Sequence, residues 1–96
     1  MSVLRHYKMI ARDGEGPALG QALKALGAGV APLQGCEGVE LYADTKVPEV
    51  WIFIERWRSI EAHKAAGGML DKALLVPVTA ALSGPPEGRY LVAPEG

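Results

Sequence analysis

VWIFIERWRSIEAHKAA, residues Val50 to Ala66, decides how this chain folds. Its first half is rich in the aromatic and β-branched side chains that suit a strand. Alternate residues of a strand point to opposite faces. Trp51, Phe53 and Trp57 share one face with Glu55, and Val50, Ile52 and Ile54 occupy the other. A sheet that is apolar on both sides needs cover on both, with helices on one face and a second sheet on the other. In a chain of 96 residues that second sheet belongs to another copy, so a homodimer is expected. The strand then runs straight into a helix start. Ser59 is a fitting N-cap and Glu61 favours the first turn through the helix dipole. Ala62 stands where Glu or Gln completes a capping box. Trp57 at the strand end and His63 on the first turns of the helix set a flat apolar wall beside a group that moves protons near neutral pH. Such a pairing suits a pocket for an aromatic substrate.

Upstream, Leu4 to Ala11 mixes apolar and polar residues in near alternation until Asp13-Gly14-Glu15-Gly16-Pro17 stops it, which predicts a strand and a turn. Pro17 fits the first turn of a helix. Leu19, Leu23, Leu26 and Val30 then recur at helical spacing, and Gly27, Gly29 and Pro32 are expected to fray and end the helix. Gly35 to Gly38 predicts a turn, and Val39, Leu41 and Ala43 alternate with polar neighbours as a second strand. Asp44 to Pro48 is short enough to join it to the third, Glu49 to Arg56, as an antiparallel hairpin. Downstream, Gly67-Gly68 breaks the second helix. An apolar segment from Met69 to Leu82 follows, with Pro77 expected to bend it. Gly84-Pro85-Pro86 ends that segment, and Arg89 to Ala93 predicts a last strand. The order β-α-β-β-α-β is that of an α+β, ferredoxin-like split βαβ sandwich, expected to span residues 1–96 as one domain.

Composition excludes several functions. Ten basic and eleven acidic residues leave a net charge of −1 with no run of one sign, so no electrostatic grip on nucleic acid or anionic lipid is expected. Cys36 is the only cysteine, which fits a reducing cytoplasm. No apolar run approaches the ~20 residues of a membrane span, and the charged N-terminal stretch does not read as a signal peptide. Gly14-x-Gly16 lacks the third glycine and the context of a nucleotide fingerprint. One Cys and two His at unrelated positions do not make a zinc site.

Three stretches together resemble the antibiotic biosynthesis monooxygenase family: Gly35-Cys36-Glu37-Gly38-Val39-Glu40-Leu41-Tyr42, then Glu55-Arg56-Trp57-Arg58-Ser59 with Glu61-Ala62-His63, and Gly84-Pro85-Pro86 before a strand. The resemblance runs in order over nearly the whole chain, and E-x-W-x-S-x-E-A-H is its most specific part. It implies a dimeric α+β barrel of two face-packed ferredoxin-like sheets, with the Trp57 side of the third strand facing a cavity under the helices. Many members of the family oxygenate quinols or polycyclic phenols without flavin or metal, some process signalling molecules, and others degrade haem. Haem degradation in the family uses an Asn on the first strand and a His on the later helix. This chain has no Asn and no His beyond His63.

The resemblance makes His63 a catalytic base and Trp57 a catalytic pocket wall. Tyr7, Trp51, Phe53, Glu55, Met69 and Leu70 then contact the substrate, a small aromatic molecule that reacts with O2 and needs no cofactor. Each residue also has a plainer reading. Trp57 serves equally as a core residue whose N–H finds an acceptor, and His63 as a half-exposed helix histidine. Glu55 serves as a partner of an arginine or a backbone end. His6 points away from Tyr7 if the alternation holds, and Cys36 reads as a packing residue. Many relatives carry a further His where this chain has Ala66. That leaves a second reading open, a non-catalytic small-molecule-binding or stress-associated dimer. A third, an aromatic sheet that binds RNA, lacks the basic-glycine-aromatic pattern.

Overall fold

A computed structural model describes residues 2–94. In chain order the elements are β1 (Val3–Ile10), α1 (Gly16–Val30), β2 (Cys36–Ala43), β3 (Val50–Trp57), α2 (Ile60–Ala66), α3 (Leu75–Ala81) and β4 (Glu87–Leu91), with one turn of 3₁₀ helix, Lys72–Leu74, leading into α3. The strands form one antiparallel sheet in the order β2-β3-β1-β4. This is the ferredoxin-like α+β arrangement that the element order predicts.

The two faces of β3 divide as the alternation requires. Phe53, Glu55 and Trp57 are buried under the helices. They lie opposite Tyr7, Arg5 and Val3 of β1. Val50, Ile52 and Ile54 stand on the helix-free face, half-buried, beside Ile10, Lys8 and His6. The core gathers Leu19, Leu23, Leu26 and Val30 of α1 against Met9, Phe53 and Trp57. Burying such side chains stabilises the fold by about 1.5–3 kcal/mol each.

Four local expectations are corrected. Helix α1 continues through Gly27 and Gly29 to Val30, because its buried leucine face holds the backbone against the sheet. Strand β2 begins at Cys36, where a bulge between Cys36 and Gly38 absorbs the predicted turn. Pro77 lies in the first turn of α3, where a proline's missing N–H breaks no bond, so it begins a helix and bends none. Strand β4 runs from Glu87 to Leu91, two residues earlier than expected at each end, and pairs Tyr90 with Arg5. The Ser59 cap forms as expected, its Oγ accepting the N–H of Ala62 at 3.0 Å. No helix among the described residues is long and apolar enough to cross a membrane.

Candidate active site

The helices do not fill the space above the sheet, and a cavity of about 340 Å³ remains. It is more than twice the ~150 Å³ that holds a single benzene in a protein core. Tyr7 and Met9 of β1 form its floor with Phe53, Glu55 and Trp57 of β3. Leu26 and Val30 of α1, His63 and Ala66 of α2, and Leu75 and Val78 of α3 form its walls. The lining is mainly apolar, and its polar groups include Tyr7, Glu55 and His63. Apolar walls with a few converging polar groups are typical of small-molecule sites.

Strand alternation and the Ser59 cap place these polar groups together. Trp57 and Glu55 lie two apart on one face of β3, and the indole Nε1–H donates to Glu55 Oε1 at 2.9 Å. Ser59 starts α2 directly after the strand, so His63 is carried back over Trp57 one turn later. The two rings meet edge to face with centroids 5.5 Å apart. Buried Ala62 and Ala66 let α2 lie close to the sheet. His63 Nε2 then lies 3.4 Å from Tyr7 Oη and 3.7 Å from Glu55 Oε1. Its other ring nitrogen, Nδ1, lies 2.6 Å from Tyr90 Oη.

Burial sets the protonation of all three groups. It pushes the Glu55 carboxyl above the usual carboxylate range, although the Trp57 N–H and the Arg5 charge pull it back. It pushes His63 down, and the charges of Arg5 and Lys64 push it further, so the imidazole is neutral around pH 7. Tyr7 is raised, chiefly by burial, and keeps its proton. The site therefore offers a neutral imidazole and a protonated phenol in an apolar chamber. Such a set can accept a proton and hydrogen-bond an oxygen.

Of the residues expected from sequence, Trp57, His63, Tyr7, Phe53, Glu55 and Leu70 line this cavity. Trp51 does not. Its indole N–H donates to the Gly16 carbonyl at 2.9 Å and its ring lies against Gly20, where an added Cβ sits 2.5 Å from the ring. Trp51 thus anchors the start of α1 and leaves the cavity to Phe53. Met69 is also outside the lining, at 51% exposure, because the turn after α2 points it to solvent. His6 stands on the helix-free face. Cys36 donates its thiol to the Gly38 carbonyl at 3.6 Å and burial raises its pKa, the opposite of an activated nucleophile.

Two residues of the cluster were not anticipated from sequence, Arg5 and Tyr90. The Arg5 guanidinium lies over the rings of Tyr90 and Tyr7, at 4.4 and 4.9 Å from their centroids. Gly88 makes room for this stack, since a Cβ there meets Arg5 at 2.6 Å and Tyr7 at 3.0 Å. The available signal was Arg5 itself, a charge at an odd position of β1 between the inward Val3 and Met9.

Comparison with known proteins agrees with this architecture. A family model described as antibiotic biosynthesis monooxygenase matches residues 2–68. Rv0793 of Mycobacterium tuberculosis superposes with a TM-score of 0.82 at 21% identity, covering 100% of this chain and 98% of its own. A Chloroflexus aurantiacus protein named for the same family gives 0.79 at 26% identity, covering 100% and 96%. SnoaB, a cofactor-independent oxygenase from Streptomyces nogalater, gives 0.81 at 14% identity, covering 99% and 95%. Among curated proteins, none matches this chain.

Proposed function

This chain belongs to the antibiotic biosynthesis monooxygenase family, and from that premise we propose that it is a cofactor-independent monooxygenase, oxidising a quinol-like or polycyclic aromatic substrate with O2. The observation that carries the proposal is the neutral imidazole of His63 beside Trp57 on the wall of an apolar cavity. The fold shared with SnoaB supports the same reading.

In this reading the substrate is a phenol or quinol with an activated C–H. Nε2 of His63 removes a proton, and the aromatic system spreads the negative charge. The apolar walls limit the solvation that makes such an anion unreactive in water. The anion passes one electron to O2, and the substrate radical and superoxide combine as a peroxide, which takes back the proton from the imidazolium. At a CH₂ carbon, loss of the second C–H proton breaks the O–O bond. A carbonyl remains, and the departing hydroxide joins that proton as water. One oxygen atom enters the product, the other leaves as water, and the substrate supplies every electron. Tyr7 donates a hydrogen bond to the substrate oxygen, Glu55 holds Trp57 in place, and Phe53 and Leu70 complete the wall. Oxygen consumption with anthrone, in protein freed of flavin and metal, tests the proposal. Uptake that is lost in His63→Ala supports it, and uptake no faster than without protein refutes it.

The proposal includes a cytoplasmic homodimer of one domain per chain, in which the helix-free face of one sheet covers that of the other. Leu4, Val50, Ile52 and Ile54 are half-buried on that face, and Ile10 and Leu91 are 46% and 38% exposed. The chain exposes 5894 Å² and measures 39 × 33 × 19 Å. A compact monomer of this mass exposes about 5300 Å², so the flat shape carries surplus surface where a second sheet fits.

One observation favours the second reading, a dimer that binds a small molecule without turning it over. Ala66 is buried on the cavity wall and offers no polar group beside His63. Retention of anthrone with no oxygen consumption distinguishes that case.

A further inference from the structure

His63 presents its two ring nitrogens to different surroundings. Nε2 faces the cavity-lining groups Tyr7 and Glu55, whereas Nδ1 faces Tyr90, which lies outside the lining. A neutral imidazole carries one N–H, and the position of that proton decides whether Nε2 is a base or a donor. We propose that Tyr90 is a positioning residue: its hydroxyl oxygen accepts a hydrogen bond from Nδ1–H of His63 and so turns an unprotonated Nε2 toward the cavity. This inference rests on the base role proposed for His63.

Three features lead to it. Tyr90 Oη makes the shortest of the polar contacts described to the ring, at 2.6 Å from Nδ1. On the other side, Glu55 Oε1 is 3.7 Å from Nε2, beyond hydrogen-bond reach, and already accepts the Trp57 indole. Tyr7 Oη lies 3.4 Å from Nε2, a longer and weaker contact than the 2.6 Å one between Nδ1 and Tyr90. The acceptor for the imidazole proton is thus Tyr90, and the available lone pair is on Nε2.

The scaffold holds Tyr90 for this task. It pairs with Arg5 across β4 and β1, and the Arg5 guanidinium lies 4.4 Å from the centre of its ring. The imidazole meets the same ring edge to face, with centroids 5.4 Å apart. The absent Cβ at Gly88 lets Arg5 sit low over the strand. Second partners of this kind fix the tautomer and orientation of histidine ligands in metal sites, where losing one costs about 10–100-fold in affinity or activity.

The tautomer is directly measurable. Long-range ring-nitrogen NMR on a His6→Gln background leaves His63 as the single histidine. Above the pKa of His63 the proposal expects a protonated Nδ1 and an unprotonated Nε2. In Tyr90→Phe the Nδ1–H form loses its acceptor, so the signal shifts toward the Nε2–H form, and kcat falls about tenfold with little change in KM. An Nε2–H signal without the Tyr90 change overturns the inference, and so does a folded Tyr90→Phe variant with an unchanged tautomer. The NMR result needs no turnover. A protein that consumes no oxygen but shows the Tyr90-dependent tautomer refutes the monooxygenase reading while upholding this one.

Discussion

The indole N–H of Trp57 donates to Glu55 Oε1 across 2.9 Å, and both side chains are buried on one face of β3. This bond fixes the carboxyl beneath His63 and gives a buried polar group its partner. Trp57→Phe keeps an aromatic ring there but removes that donor. Leaving a buried acceptor unpaired costs about 1–3 kcal/mol, and urea unfolding is expected to show a loss of that size. In a double-mutant cycle with Glu55→Met, which removes the acceptor, the two changes are expected to couple by about 0.5 kcal/mol or more. Strict additivity argues against the bond.

Stability should depend on pH through Glu55 and His63. Burial raises the folded-state pKa of Glu55, so the folded chain holds this proton more tightly than the unfolded one. That contribution is complete below the unfolded value of about 4.3 and is lost as pH rises through the raised folded value. His63 is depressed, so the unfolded chain binds its proton first, and stability falls as pH drops below about 6.5 toward the folded value. Glu55→Gln removes the first effect. Its Tm relative to the unchanged chain is expected to rise as pH increases from about 4, and a flat difference contradicts the burial argument.

The same depression of His63 sets the acid limb of activity. The base stays unprotonated below the ordinary histidine value, so kcat/KM for anthrone oxidation is expected to hold its plateau through about pH 6.5 and fall only beneath it. An acid limb above that value places the essential group elsewhere.

The helix-free face yields a test of assembly. Ile54 sits in the middle of the sheet, paired with His6 on one side and Glu40 on the other. If two sheets pack face to face, Ile54→Glu buries a charge in the interface. Sedimentation velocity at micromolar concentration is expected to show a dimer for the unchanged chain and a folded monomer for the variant. A monomer in both removes the dimer from the account.

The fold was legible because β3 states its two-sidedness in eight residues, and because Ser59 marks where strand becomes helix. Both signals are local. Trp57, Glu55 and His63 were legible for the same reason, since they lie on one strand and the helix that follows it. Tyr90 and Arg5 were not, because their meeting depends on the register of β4 against β1, which no local pattern sets. Trp51 misled for a related reason. Alternation puts it on the Phe53 face, but only the approach of α1 at Gly20 shows that its ring is spent there. Met69 follows a helix break, where apolar character carries no direction.

The central claim is that His63 and an apolar chamber suffice to place one atom of O2 in an aromatic substrate. Anthrone oxidised under isotopically heavy dioxygen, by protein stripped of flavin and metal, tests it most directly. The account predicts one heavy oxygen in the product carbonyl and one in water, with the protein-dependent rate lowered about 100-fold or more in His63→Ala. Light oxygen in the new carbonyl, or heavy oxygen entering at the same rate in His63→Ala, would contradict it.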